Sequence, residues 1–343
     1  MKRNIIIFLA LGFAAAACSK TAPDRTAEMK AVQFDSWIKY HKEIEPGYLW
    51  KETPLGSYIL TESAGTGKDV KDYDYVSINF TTSSLSGNID ATTDSLTAKQ
   101  LGLFSRQLYF GPQVKAYRDT SFFVGIRELL VDMKVGGKKK AVVPSWLQTT
   151  RQCANPAEYR QYTTEETNVI YDIEVTDCFN DVNGWQLDRI KEYVKVNCPK
   201  ADTLVNGLYF CRLKEPSSEG PMPEDTTIYI NYTGRFLDGH LFDTNIKRIA
   251  MDTWREDFNP IAAYSPSIIK WGSDFSKITM GASSSGVIPG FARTIFNMHP
   301  HEKAVGIFWS DLGYGAAGSS AGGVFSIPPY CPLVFEIEVV DKP

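Results

Sequence analysis

The sequence predicts an α+β protein made of two copies of one fold, each an antiparallel sheet wrapped on one short helix. Three observations carry this reading. Segments of the first half recur, in order, in the second half. Most recurring segments alternate apolar and polar residues with the period of two that marks a half-buried strand. One segment in each half instead sets its apolar residues at helical spacing.

The chain has 343 residues, which fits two domains at roughly 100–200 residues each. It is 43% hydrophobic and 22% charged, ordinary for a folded protein, so each half can bury its own core. The first 18 residues read as a secretory signal. "MKRN" is a basic start, "IIIFLALGFAAAA" is an apolar run, and small residues lead into Cys18. The run Ala15-Ala16-Ala17-Cys18 resembles a bacterial lipobox, which implies lipidation at Cys18 and a place in the cell envelope. Ser19 is not an acidic retention residue, so the outer membrane is the expected destination. Removing Lys2 and Arg3 with the signal leaves 34 basic and 40 acidic residues. That mildly acidic balance speaks against nucleic acid as a partner. No later stretch is long and apolar enough to span a bilayer.

The expected boundaries are a signal at 1–18, a tether and short helix at 19–45, and a first domain at 46–180. A helical linker follows at 181–203, then a second domain at 204–343 with an insert at 246–285. The helix "QFDSWIKYHKEI" is echoed by "QLDRIKEYVKVN". Strands at 55–62, 75–84 and 168–177 are echoed at 206–213, 228–236 and 332–341, with Phe80 aligned to Tyr232. Ile126, Leu129, Leu130 and Met133 form one helical face, ended by Gly136-Gly137; Phe291, Ile295 and Met298 form its counterpart. Phe80 and Tyr232 are 152 positions apart, whereas Gly125 and Gly290 are 165 apart, so the second copy carries extra residues in between. "GGKKKAVV" reads as a solvated strand edge whose lysines discourage pairing. His299 and His301 read as a solvated turn, and no spacing suggests a metal site.

Five cysteines would remain after Cys18: Cys153, Cys178, Cys198, Cys211 and Cys331. Export permits disulfides, and an odd count leaves one thiol over. Cys198–Cys211 is the expected pair, with Cys153–Cys178 as its competitor.

"INYTGRFLDGHLFDTN" (230–245), "GVIPGF" (286–291), "WSDLGYG" (309–315) and "FSIPPYCPLVFEIEVVD" (325–341) together resemble the FKBP-type peptidyl-prolyl isomerases. The resemblance covers most of 204–343, and the helix-and-strand segment at 122–147 is similar to the same family. It implies two FKBP-like domains, each a half-barrel with an apolar pocket between sheet and helix. It also implies which residues line the second pocket: Tyr232, Phe242, Asp243, Val287, Ile288, Phe291, Tyr314, Ile327 and Phe335. Phe291 stands where the family usually has Trp. The first copy departs further. Phe80 replaces the pocket Tyr, Ile89 and Asp90 are loose equivalents of the Phe-Asp pair, Ile126 takes the floor, and Thr149 stands for Tyr314. The expected activity is cis-trans isomerisation of X-Pro bonds in exported polypeptides, by the second domain, with no cofactor and no metal. The alternative is a non-catalytic binding or chaperone module of the same shape.

Overall fold

A computed structural model describes residues 26–118, 122–161, 165–220, 222–223, 226–281, 285–321 and 324–343. Cys18 and its signal lie outside the described residues. In the N-terminal unit, helix α1 (Thr26–Ile44) leads into β1 (Lys51–Glu52), β2 (Tyr58–Ser63), β3 (Tyr75–Ser84) and β4 (Ile89–Thr92). Then come α2 (Ser95–Gln100), β5 (Gln113–Ala116), α3 (Val124–Leu130), β6 (Lys138–Val143), α4 (Pro156–Arg160) and β7 (Val169–Phe179). Helix α5 (Val182–Asn197) joins it to the C-terminal unit, which opens with β8 (Asp202–Val205), β9 (Leu208–Lys214), β10 (Thr227–Phe236) and β11 (Leu241–Thr244). The chain continues through α6 (Lys247–Trp254), β12 (Ser267–Lys270), β13 (Thr279–Met280), β14 (Ser285–Gly286) and α7 (Pro289–Phe296). It closes with β15 (Lys303–Phe308), β16 (Ser319–Ala321), β17 (Val324–Ile327) and β18 (Leu333–Val340).

The two large sheets share one strand order. The first runs β1-β2-β6-β7-β3-β4 with β5 also on β3. The second runs β14-β13-β12-β10-β18-β15-β9-β8 with β11 also on β10. Each strand of the first from β2 onward has a counterpart in the second, and every pair is antiparallel. The correspondence reaches single residues. Phe80 faces Ile173 as Tyr232 faces Ile337. The hairpins β3–β4 and β10–β11 carry a bulge at the same step, after Thr82 and after Gly234.

Helices α2, α4 and α5 start where a polar cap accepts one of their first N–H groups. Asp181 accepts from Gly184 at the start of α5, and Asp94 from Thr97 at the start of α2. Pro289 opens α7, where its missing N–H costs nothing. Phe291 and Ile295 of α7 are buried on the inner face of the second sheet, with Phe308 and Ala304 of β15. Val305 and Ile307, on the other face of that strand, pack with Ile190 of α5.

Several expectations need correction. Each unit has more than one helix, not a single short one. Helix α1 is longer than the short helix expected from about residue 33: it runs Thr26–Ile44, and its Phe34 is 1% exposed and meets the Trp146 ring edge-on at 5.2 Å in the N-terminal core. Strand β6 is not an edge. It lies between β2 and β7, and Lys139 is buried with its ammonium donating to the Leu129 carbonyl at 2.8 Å. Pairing on both sides satisfies this strand's backbone, so the lysines guard nothing. All five described cysteines are free thiols. Cys198 and Cys211 are neighbours in one apolar cluster, and burial, with Cys211 beside it, pushes Cys198 up to about 12. The segment 246–285 is only in part an insert. Its helix α6 and strand β12 match α2 and β5, and the register sets Ser267 opposite Ile230 as Gln113 is opposite Ile78. The real surplus is the β13–β14 extension of the sheet edge.

Candidate active site

The expected pocket residues converge between α7 and the second sheet. Tyr232 on β10, Phe291 on α7, Ile327 at the end of β17 and Phe335 on β18 are buried in one core cluster, each at most 8% exposed. Phe242, Val287 and Ile288 are half-buried and pack against it. Phe291 lies edge-on to Phe335 at 4.9 Å and to Tyr232 at 5.8 Å, and Phe242 is edge-on to Phe335 at 5.5 Å. Edge-to-face contacts of this kind hold rings in fixed positions. Gly234 makes room for them: a Cβ there would come within 2.7 Å of the Phe242 ring and 3.0 Å of Phe335.

One polar pair borders these rings. The Tyr232 hydroxyl donates to Asp243 Oδ2 at 2.9 Å. Asp243 stands at the rim with part of its surface open. Surrounding protein atoms nonetheless raise its carboxyl pKa by burial, against the Tyr232 hydroxyl and the Thr244 N–H, which lower it. Tyr314 is 37% exposed. Burial and then the Asp243 charge raise its phenol above the ordinary value. Ile288 is the N-cap of α7, with extended backbone at ψ 143°. Eight of the nine residues thus gather in one region by packing or by a hydrogen bond, and Tyr314 is tied to it only through the charge of Asp243.

Other contributors were not singled out from the sequence. Phe308 is fully buried and stacks on Phe335 at 5.8 Å. Asn245, the last residue of "LFDTN", accepts the Tyr232 N–H at 2.8 Å and donates to the Ile230 carbonyl at 2.8 Å, fixing β10 behind the pocket. His240 stacks on Phe236 at 5.2 Å, and Phe236 on Phe242 at 5.1 Å, so a histidine lies two rings from the site. Burial lowers its pKa.

In the N-terminal unit the register refines the expected equivalents. Ala91 faces Thr82 as Asp243 faces Gly234, so the place of Asp243 is taken by Ala91, and that of Phe242 by Asp90 rather than Ile89. The Tyr–carboxylate pair has no counterpart there. The space is kept, however, as a cavity of about 440 Å³ floored by Ile126 and walled by Phe80 and Ile173.

Residues 270–340 match the family model of the FKBP-type peptidyl-prolyl cis-trans isomerases. A Macrophage infectivity potentiator of Trypanosoma cruzi is 28% identical over 142 residues, 41% of this chain and 56% of that protein. The FKBP-type 22 kDa peptidyl-prolyl cis-trans isomerase of Escherichia coli is 26% identical over 44% of this chain and 58% of its own length. The crystal structure of FkpA from Escherichia coli is 23% identical over 47% of this chain and 59% of that chain, with a TM-score of 0.33. The chain thus spans little more than half the length of the curated relatives it matches. Assignment to the FKBP-type isomerases is supported at the family level, through the C-terminal unit.

Proposed function

We propose that the C-terminal unit is a peptidyl-prolyl cis-trans isomerase that acts on X-Pro bonds of exported polypeptides. The observation that carries this is the ring cage of Phe291, Phe335, Phe242 and Tyr232, bordered by one carboxylate, within a chain whose residues 270–340 match the isomerase family. Amide resonance sets a barrier of about 18–20 kcal/mol, and X-Pro bonds exchange over tens of seconds or more. Twisting the bond removes the resonance and lowers the carbonyl dipole. A dry apolar cage favours the twisted amide over the planar one, which is differential binding of the transition state. Phe291, Phe242, Phe335 and Val287 hold the proline ring. The Ile288 N–H and the Tyr314 hydroxyl receive substrate carbonyls, and Ile327 closes the wall. Tyr232 and Asp243 form the polar side, where the hydrogen bond makes the partly buried carboxylate tolerable. No nucleophile or general base is needed.

The same reading extends to the whole chain as a tandem of FKBP-like domains, exported and lipid-anchored through Cys18 in the outer membrane. The shared strand order of the two sheets supports the tandem. With Phe80 and Ala91 where Tyr232 and Asp243 stand, the N-terminal unit is assigned binding without turnover. Exchange NMR on a labelled Ala-Pro peptide tests the catalytic part. Substoichiometric protein should broaden the cis and trans resonances through exchange, and unchanged exchange would refute the proposal.

A further inference from the structure

The N-terminal cavity lies where the ring cage lies in the sister unit. Its floor Ile126 precedes Leu129 as Phe291 precedes Thr294, and its wall residue Tyr171 takes the register place of Phe335. A volume of about 440 Å³ is that of a small-molecule site. The C-terminal unit closes part of the mouth with Ala316, Pro329 and Tyr330. Tyr330 is fixed there: its N–H donates to the Gly315 carbonyl at 2.9 Å, and its ring meets Tyr75 edge-on at 5.6 Å.

Lys115 is the odd residue of this cavity. It faces Val76 across β3–β5 as Ile269 faces Ile228 across β10–β12. Ile269 is 0% exposed, so an apolar residue fills this place in the sister unit. Lys115 instead stands among the lining residues of the cavity, at a register place that puts it on the same face of the sheet as Ile78 and Phe80. Among the described residues no carboxylate pairs with it; its recorded partner is the Phe325 ring, 5.6 Å away, contributed by the C-terminal unit. Burial lowers its pKa, as expected of a cation held away from water without a counter-charge. An apolar cavity with one uncompensated cation selects for a ligand that is apolar along its length and anionic at one end.

We infer that this cavity is a second ligand site, built by both units, for an apolar group ending in a carboxylate, with Lys115 as its anion partner. Two sources share that chemistry: a free alkyl carboxylate and the apolar C-terminal residue of a polypeptide. The site does not depend on whether the C-terminal unit isomerises proline.

Calorimetric titration of the full chain tests this with decanoate against decanol, and with N-acetyl-Ala-Ala-Leu acid against its amide. At least one acid should bind with one-to-one stoichiometry, about tenfold or more tighter than its neutral analogue. The arm that binds names the source. Lys115→Met should remove that advantage, and Lys115→Arg should keep it. Ile126→Phe, which sets the sister unit's ring on the floor, should weaken acid and neutral analogue together while the melting temperature holds. Failure of both acids to bind, equal binding of acid and neutral analogue, or a Lys115→Met protein that binds the acid as wild type does would each overturn the inference.

Discussion

Tyr232 and Asp243 meet at 2.9 Å beside three phenylalanine rings, and the chemistry of the pocket turns on which of these groups matters more. If the dry cage drives rotation, Phe291→Ala should cost the most, because it opens a cavity where the proline ring must be held. Asp243→Ala should cost less, and Tyr314→Phe least, near the worth of one hydrogen bond, about 1 kcal/mol. The catalysed rate should be flat from roughly pH 6.5 to 8, since no proton moves. Burial keeps His240 neutral there by lowering its pKa, and the Tyr232 and Tyr314 phenols are raised. A protease-coupled proline-peptide assay across pH reads both; a bell-shaped profile, or a Tyr314→Phe protein more damaged than Phe291→Ala, would place catalysis in a polar group. Asp243 also leaves a mark on stability. Its folded pKa lies above its unfolded one, so the native state holds the extra proton between those values. Stability therefore falls as pH rises through that interval and is level above it. Thermal melts of Asp243→Asn should lack this slope.

At the scale of elements, alternation in β10, β7 and β18 was legible because much of each strand buries one face and leaves the other part-exposed. The repeat fixed Phe80 against Tyr232. It did not fix β4, where a bulge after Thr82 shifts the pairing and moves the Asp243 equivalent from Asp90 to Ala91. A bulge has no signature in composition. Neither does strand order, so the lysine run of β6 read as an edge while long-range pairing set it in mid-sheet. The nine pocket residues were legible only through motif resemblance; single phenylalanines look the same in any core. Helix α1 was legible through "QFDSWIKYHKEI", but it starts earlier than that segment, at Thr26, on a narrow apolar face that buries Ala31, Phe34 and Ile38. Phe34→Ala should cost about 3–5 kcal/mol, the range for a large-to-small change in a packed core. Urea unfolding of the N-terminal unit checks this; a loss below about 1 kcal/mol would show that α1 does not hold this core.

Across the whole molecule the units are joined by specific contacts. Arg106 and Gln107 of the N-terminal unit donate to Asp257, at 2.7 and 2.9 Å, just after α6. Tyr109 packs edge-on to Phe236 at 5.6 Å, and its N–H donates to the Phe325 carbonyl at 2.7 Å. Trp185, Phe179, Tyr75 and Tyr330 form a continuous run of ring contacts from α5 to the loop after β17. The end of β17 and the loop after it serve both units: Ile327 is buried in the C-terminal core, and Pro329 and Tyr330 line the N-terminal cavity. Two pockets at matching places in two sheets of one strand order are thus held side by side, one with a ring floor and a Tyr–carboxylate pair, the other with Ile126 and a lysine.

The most direct test compares the two floors in the full chain. Phe291→Ala and Ile126→Ala would be assayed on one proline peptide beside wild type. The account predicts at least about tenfold loss for Phe291→Ala and nearly wild-type rates for Ile126→Ala, since 1.36 kcal/mol of lost preference is a factor of ten. Equal losses from the two substitutions, or full activity in Phe291→Ala, would contradict it.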